Sequence, residues 1–193
     1  MVHINKELAL RCVYTNCLSL FNKLSELRQL VHEKQPSFLA LTETWLIPEI
    51  LDSELNFDGY AVYRADSTRG RCGGVAIYIR DNLPTATIIQ NVPSTTMWNA
   101  LWLIILLHPR DNLLLGVVYR SPASTLEANE RFLQQMDLFT DLHKHSHLFI
   151  TGDFNAPKAQ WENSVNPTGA SFADTLAQMI LQKGWTQHVC APT

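Results

Sequence analysis

The sequence predicts a sheet-on-sheet sandwich flanked by helices. Many short apolar runs follow one another in the middle of the chain, and amphipathic helical stretches stand before and after them. A doubly wound parallel sheet would alternate single strands with helices, which this order does not do. No internal repeat of about 20–50 residues and no linker interrupts the pattern. A single domain over residues 1–193 is therefore expected.

Length and composition agree with one compact domain. The chain has 193 residues, of which 46% are hydrophobic and 17% are charged. This is enough apolar material for one core but not comfortably for two. The low charge and ordinary glycine and proline content exclude a disordered or low-complexity chain.

The first third of the chain predicts a strand, a helix and a second strand. Apolar side chains stand at every second position over residues 8–14, at Leu8, Leu10, Cys12 and Tyr14, which is typical of a strand. Leu24, Leu27 and Val31 then recur at helical spacing, with Asn22 as the expected cap and Pro36 as the stop. The apolar run over residues 37–44 predicts a buried strand.

The middle of the chain predicts an antiparallel meander. Its runs are short, rich in Val, Ile, Leu and Tyr, and separated by Gly, Pro, Asn or Asp. The expected strands cover residues 60–63, 74–80, 85–91, 100–108 and 112–119. We expect Trp98 and Trp102 to be core residues rather than platforms for stacked bases.

The last third predicts two helices and two strands. A second helix begins near Thr125 and carries the apolar stripe of Phe132, Met136 and Phe139. A strand follows at residues 147–151. A third helix is expected at 171–183, ending at Gly184, and a closing strand at 185–189.

Charge and cysteine usage restrict the cellular setting. Fifteen basic and 18 acidic residues give a net charge of −3, which excludes binding to nucleic acid by bulk positive charge. The four cysteines form no zinc spacing, so reduced thiols are expected. The longest apolar run, residues 100–107, is too short to span a bilayer, and the start has no signal peptide. These features predict a nuclear or cytoplasmic protein that is neither secreted nor transmembrane, while its oligomeric state stays open.

Polar residues that follow apolar strands are the candidates for chemistry. Glu43 ends one such strand, Tyr119 closes another, and Asp153 and Asn155 lie where a strand breaks at glycine. Strand ends are rigid platforms on which reactive groups are commonly presented. The alternative for each is structural: turn or helix capping for the carboxylates and Asn155, and ordinary strand packing for Tyr119.

Taken together, five motifs resemble the endonuclease/exonuclease/phosphatase superfamily. They are Asn16 in Y-T-N-C-L-S-L, Glu43 in L-T-E-T-W-L, G-G-V-A-I-Y-I at 73–79, G-V-V-Y-R-S-P at 116–122, and G-D-F-N-A-P at 152–157 followed by Trp161. Their wording is most similar to the endonuclease domain of LINE-type, non-LTR retrotransposons. The resemblance covers nearly the whole chain and implies a four-layered α/β sandwich of two mostly antiparallel sheets.

The resemblance also implies roles for these residues. Glu43, with Asn16 beside it, would ligate a divalent ion, normally Mg²⁺ and alternatively Mn²⁺. Asp153 would orient or deprotonate the attacking water, while Asn155 and Tyr119 would hold the scissile phosphate. A hard, oxygen-ligated cation neutralises charge that develops on phosphate oxygens, so an acidic chain is compatible with a DNA substrate.

Other residues are candidates for substrate contact. Arg69 and Arg71 lie in a glycine-containing loop with a local excess of positive charge, for which a solvated surface loop is the alternative. Arg120 follows Tyr119, and an ion pair within the protein is its alternative role. By resemblance, Thr193 matches the threonine of a Pro-Thr-Arg segment that is often seen in the family.

The sequence departs from the family after Thr193. Members continue with a further aspartate and a Ser-Asp-His-type motif, and this sequence contains neither. The resemblance therefore implies a C-terminally incomplete domain that lacks its last strands, with impaired activity.

Three functional hypotheses follow from this reading. The first is a Mg²⁺-dependent endonuclease that nicks DNA for target-primed reverse transcription, with a downstream reverse transcriptase domain in the full element. The second is a catalytically dead remnant that binds nucleic acid or a protein. The third is an abasic-site nuclease or another phosphodiesterase of the same superfamily.

Overall fold

The structure is a computed structural model that describes residues 9–68, 71–89, 98–157, 159 and 171–189. Within these residues the chain forms eight strands and three α-helices. In chain order they are β1 Cys12–Asn16, α1 Leu20–Lys34, β2 Phe38–Thr42, β3 Tyr60–Ala65, β4 Val75–Arg80, β5 Ala86–Ile88, β6 Trp98–His108, β7 Asp111–Arg120, α2 Leu126–Leu142, β8 His147–Asp153 and α3 Phe172–Lys183.

The strands form two mixed four-stranded sheets, which confirms the predicted sandwich. The first sheet has the order β1-β2-β4-β3 and the second the order β5-β6-β7-β8. Strands β1 and β2 are parallel, as are β7 and β8, and the other pairings are antiparallel. Each sheet thus contains one parallel pair, and both pairs contribute residues to the site described below.

The two sheets pack face to face around an apolar layer. Because side chains alternate along a strand, β2 directs Phe38 and Ala40 into this layer and Leu39 and Leu41 to the opposite face. Strands β4 and β7 alternate in the same way. Both faces of these strands are therefore buried, which explains their nearly continuous apolar sequences.

Helices cover the outer face of each sheet and complete four layers. Helix α1 packs Leu20, Leu27 and Val31 against the outer face of the first sheet. Helices α2 and α3 cover the second sheet, where Trp98 and Trp102 are 3% and 1% exposed and lie in the core, as predicted. The Trp102 ring lies directly against Gly116, where a β-carbon would come within 2.5 Å of it.

The ends of the helices follow from short-range hydrogen bonding. The side chains of Thr125 and Ser171 accept hydrogen bonds from the backbone of α2 and α3, three residues further on. Gly184 ends α3 in the left-handed conformation at φ 65°. Helix α1 begins after Ser19 rather than at the predicted cap, Asn22, which lies inside the first turn.

Three other sequence predictions need correction. Strand β1 covers residues 12–16 rather than 8–14. Its last residue, Asn16, pairs with Thr42, so the parallel ladder continues two residues past the predicted end at residue 14. The predicted meander divides between the two sheets, with β3 and β4 in the first and β5 to β7 in the second.

The third correction concerns the predicted closing strand. Residues 185–189 are not a strand, because no strand of the described chain pairs with them. Val189 is 53% exposed, whereas Trp185 packs on the cluster beneath α3.

The structure also describes the state of three cysteines and the length of the helices. Cys12, Cys17 and Cys72 are free thiols, while Cys190 lies outside the described residues. No helix in the described part of the chain is long and apolar enough to cross a membrane.

Candidate active site

The carboxyl ends of the two parallel strand pairs meet at one end of the sandwich. In the first sheet Asn16 is the register partner of Thr42, immediately before Glu43. In the second sheet Tyr119 is the register partner of Asp153. Ligand sites in α/β proteins commonly lie outside the carboxyl ends of parallel strands. The sequence positions predicted to carry chemistry therefore lie at one end of the fold.

A hydrogen bond between Asn16 and Asp153 joins the two sheets at this end. The Asn16 amide nitrogen, Nδ2, donates to Asp153 Oδ2 at 3.3 Å, although the residues are 137 positions apart. Asn16 Oδ1 accepts from the backbone N–H of Leu18 at 3.3 Å, which fixes the amide orientation. Asn16 is exposed at the rim, so its amide remains accessible to a ligand.

The Glu43 carboxylate is held by two donors from the loops that adjoin β2 and β4. Its Oε2 accepts from the backbone N–H of Gly73 at 2.6 Å and from the Trp45 indole N–H at 2.8 Å. Glu43 itself has φ 54°, a left-handed conformation that is uncommon for a non-glycine residue. Backbone strain of this kind persists where surrounding contacts enforce it, and it clusters at functional sites.

Tyr119 is a buried hydroxyl donor beside this carboxylate. The side chain is 7% exposed. Burial raises the pKa of its phenol, and a hydrogen bond to Glu43 together with the negative charges of Glu43 and Asp153 raises it further. Tyr119 therefore stays protonated at neutral pH and presents an O–H donor.

The turn after β8 brings Asp153 and Asn155 together. Gly152 has φ 140°, and a β-carbon there would overlap the backbone of Val118 in β7. Asp153 Oδ1 accepts from the backbone N–H of Asn155 at 3.1 Å, which closes a turn in which Asn155 has φ 48°. The Asn155 side chain donates from Nδ2 to the carbonyl of Arg120 at 2.6 Å.

Arg120 is buried beneath this turn. It is 6% exposed, and its Nε donates to Asn129 Oδ1 at 2.7 Å. Its Nη1 donates to the carbonyls of Phe154 at 3.3 Å and Asn155 at 3.0 Å. The guanidinium also lies 3.9 Å from the centre of the Phe172 ring. These contacts support the turn from within the protein, and a phosphate contact by Arg120 stays a prediction.

The remaining substrate-binding predictions are only partly covered by the structure. Arg71 is exposed in the loop that leads to Gly73, which leaves its side chain accessible to solvent. Arg69, Trp161 and Thr193 lie outside the described residues. The neighbouring Arg64 is instead paired with Asp66 and Asp52, at 2.6 and 3.0 Å.

Sequence reasoning missed two groups at this site. The first is the pair of donors on Glu43, although both lie in quoted motifs, in L-T-E-T-W and at the first glycine of G-G-V-A-I-Y-I. The second is Asn99 in β6, which is 3% exposed and accepts from the backbone N–H of Gly74 at 2.9 Å. The signal for Asn99 was a single polar residue within the apolar run W-N-A-L-W.

The donor set at this end fits a magnesium-type ion. Glu43, Asp153 and Asn16 offer carboxylate and amide oxygens, which are the hard ligands that Mg²⁺ takes. Mg²⁺ in proteins is commonly held by one or two carboxylates, with water and substrate phosphates completing its shell. Over the described ranges no group of three or more His, Cys, Asp or Glu residues could enclose a metal. The oxygen donors present thus suit a hard divalent cation.

Comparison with known proteins identifies relatives of this fold. A family model described as "Endonuclease/Exonuclease/phosphatase family" matches residues 13–190. The chain is similar to the endonuclease domain of TRAS1, a telomere-specific non-LTR retrotransposon. The sequence identity is 18% and the TM-score 0.62, over 91% of this chain and 72% of that one. No curated protein matches the sequence.

Two further solved structures show the same fold. An AP endonuclease from Archaeoglobus fulgidus is 16% identical, with a TM-score of 0.61 over 90% of this chain and 70% of that one. The 3′ phosphatase NExo from Neisseria, bound to a product DNA hairpin, is 19% identical, with a TM-score of 0.58 over 77% and 59%. Across eight such structures the chain spans 51% to 72% of the other chain.

Proposed function

The chain belongs to the endonuclease/exonuclease/phosphatase family, and on that premise we propose that it nicks DNA by Mg²⁺-dependent hydrolysis of a phosphodiester bond. Members of this family are metal-dependent nucleases or phosphatases. DNA is bound by the structural relative NExo. The proposed role is that of a non-LTR retrotransposon endonuclease acting beside a reverse transcriptase domain.

One observation supports the proposal most strongly: the cross-sheet hydrogen bond between Asn16 and Asp153. It brings the carboxylate of the second sheet to the end of the first, where Glu43 is held by Gly73 and Trp45. Two carboxylates, two amides and a protonated phenol thereby converge from separate strands. Phosphodiester hydrolysis needs this combination of a base, donors to phosphate oxygens and oxygen ligands for a cation.

Each residue has a chemical task in the proposed reaction. Asp153 accepts a proton from the attacking water, whose oxygen forms a bond to phosphorus. The bond from phosphorus to the 3′ oxygen breaks, and this oxygen takes up a proton from solvent and leaves as a hydroxyl, while Asp153 returns its proton to solvent. The second N–H of the Asn155 amide donates to a phosphate oxygen, and the single Tyr119 O–H does the same once it exchanges Glu43 for the substrate. A Mg²⁺ ion held by Glu43 and Asn16 would neutralise negative charge on the phosphate.

The retrotransposon assignment rests on motif wording and on the similarity to TRAS1. The motifs L-T-E-T-W, Y-R-S-P and G-D-F-N-A-P carry the resemblance. A 3′ hydroxyl at a nick is the end from which a reverse transcriptase extends. The second candidate is an abasic-site nuclease, favoured by the nearly equal TM-scores of 0.61 and 0.62 for the AP endonuclease and TRAS1.

The test compares an intact supercoiled plasmid with a duplex carrying one abasic site, each in Mg²⁺ and in EDTA. We expect Mg²⁺-dependent nicking of the intact plasmid, with nicks that a DNA polymerase extends without further processing. Cleavage restricted to the abasic duplex would identify the second candidate. Binding of both DNAs without cleavage would indicate the catalytically dead remnant.

A further inference from the structure

Asn99 is a buried polar side chain within an otherwise apolar stretch of β6. It is 3% exposed, and its neighbours Trp98 and Ala100 are also buried. It pairs in register with Tyr119 across the ladder to β7, and directly opposed side chains of this kind lie on the same face of a sheet. Its place in the sheet is therefore beside a residue of the candidate site.

The Asn99 side chain anchors the turn that holds Glu43. Its Oδ1 accepts the backbone N–H of Gly74 at 2.9 Å, while the preceding N–H, of Gly73, donates to Glu43 Oε2 at 2.6 Å. Both glycines are left-handed, with φ 71° and 80°. A β-carbon on Gly73 would lie 2.5 Å from Asn99 Oδ1, so the amide packs directly against the turn.

The other half of the amide is unpaired within the described part of the chain. Asn99 Nδ2 is buried and makes no hydrogen bond to any residue that the structure describes. Reversing the amide would place this donor against the Gly74 N–H, which is also a donor. The observed orientation is therefore the one that gives the Gly74 N–H an acceptor. An unpartnered buried donor is unfavourable for folding, and its retention calls for a role other than stability.

We propose that Asn99 is a positioning residue for the metal ligand Glu43 and acts through the Gly73–Gly74 turn. The inference rests on the proposed function, in which Glu43 ligates Mg²⁺. Asparagine supplies the acceptor that Gly74 requires without adding a third carboxylate beside Glu43 and Asp153. Outer partners that orient a metal ligand typically contribute about 10- to 100-fold in metal affinity or activity.

The test measures Mn²⁺ binding by electron paramagnetic resonance and, separately, the Mg²⁺ dependence of plasmid nicking. The proteins are wild type, Asn99→Ala, Asn99→Asp and Asn112→Ala. Asn112, at the opposite end of β7, also uses its side chain for hydrogen bonds, to Lys144 and Ser146, and is the matched control. If Asn99→Ala does not fold, Asn99→Ser replaces it, because a serine hydroxyl is too short to reach Gly74.

We expect Asn99→Ala to weaken Mn²⁺ binding and to raise the half-saturating Mg²⁺ concentration, each by about tenfold, with KM for DNA unchanged. Asn99→Asp keeps the acceptor for Gly74 and should restore Mn²⁺ affinity to within about threefold of wild type or better. Asn112→Ala should bind Mn²⁺ as wild type does.

Four results would overturn the proposal or separate it from the proposed function. Equal Mn²⁺ affinity of wild type and folded Asn99→Ala, or equal weakening in Asn99→Ala and Asn99→Asp, would overturn the role of Asn99. If the Mn²⁺ affinities are as expected but no protein nicks the plasmid, the proposed function is overturned and the positioning role of Asn99 is supported. A wild-type protein that binds no Mn²⁺ would overturn both.

Discussion

Arg120 and Asn155 each donate a side-chain hydrogen bond to the main-chain carbonyl of the other. Asn155 Nδ2 donates to the Arg120 carbonyl at 2.6 Å, and Arg120 Nη1 donates to the Asn155 carbonyl at 3.0 Å. The exchange fixes the end of β7 to the turn after β8, where Asn155 has φ 48°. Asp153, two residues earlier, thereby gains a rigid support.

Replacing Arg120 by lysine should weaken this support. Lysine keeps the charge but cannot reproduce the planar set of donors to Asn129, Phe154 and Asn155. We expect the free energy of unfolding, measured by urea denaturation, to fall by about 2 kcal/mol. Nicking, measured in the plasmid assay, should be slower. Arg131→Lys is the control, because Arg131 is exposed and its ion pair is with Glu127 on its own helix. A change of less than about 0.5 kcal/mol in both variants would contradict the structural role.

Gly152 is predicted to be the least replaceable glycine of the second sheet. An alanine β-carbon there would overlap the Val118 backbone, and backbone cannot move aside as a flexible side chain can. We expect Gly152→Ala to lower the free energy of unfolding by about 3 kcal/mol. Gly59→Ala is the matched control, because Gly59 has φ 79° but open space around it. Its cost should be only the left-handed strain of about 1 kcal/mol, and equal thermal shifts in the two variants would refute the steric argument.

Tyr14 should make stability depend on alkaline pH. Burial raises its pKa from 10.0 to about 12, and the charge of Asp153 adds to the rise, while its hydrogen bond to Thr42 opposes it. A raised pKa means that the folded state retains the phenolic proton more tightly. The resulting stability is therefore present below about pH 10 and is lost as the pH rises towards 12.

The comparison with Tyr14→Phe isolates this effect, because other tyrosines are common to both proteins. Urea unfolding at about pH 9 and pH 11 should show the wild type losing stability relative to Tyr14→Phe at the higher pH. A difference between the two proteins that stays constant across this range would show that Tyr14 ionises equally well in the folded and unfolded states.

The sequence predicted most of the fold because strands with two buried faces and capped amphipathic helices leave local patterns. Helix α3 matched its prediction closely, since Ser171 and Gly184 mark its ends. The predicted closing strand at 185–189 was wrong, because a short segment is a strand only where a neighbouring strand pairs with it, and none in the described chain does. Division of the meander between two sheets depends on long-range packing, which local patterns do not encode.

Local motifs located the candidate residues of the site but not the contacts among them. The hydrogen bond between Asn16 and Asp153 spans 137 positions and depends on how the two sheets face each other. Asn99 was missed because a single polar residue in a strand forms no motif. Its role is visible only in the structure, where its side chain accepts a hydrogen bond from the Gly74 N–H. The burial of Arg120 likewise depends on Phe172, from a distant helix.

The central claim is that the ends of both sheets form one Mg²⁺-dependent phosphodiesterase site, and Asp153→Asn tests it most directly. The substitution preserves size but removes the proton acceptor. Asp141→Asn, at an exposed residue of helix α2, controls for loss of a carboxylate. In a supercoiled plasmid assay we predict nicking by wild type and Asp141→Asn in Mg²⁺, and none in EDTA. Asp153→Asn should be slower by about three powers of ten. Nicking by Asp153→Asn at the wild-type rate, or equal nicking by wild type in EDTA, would contradict the account.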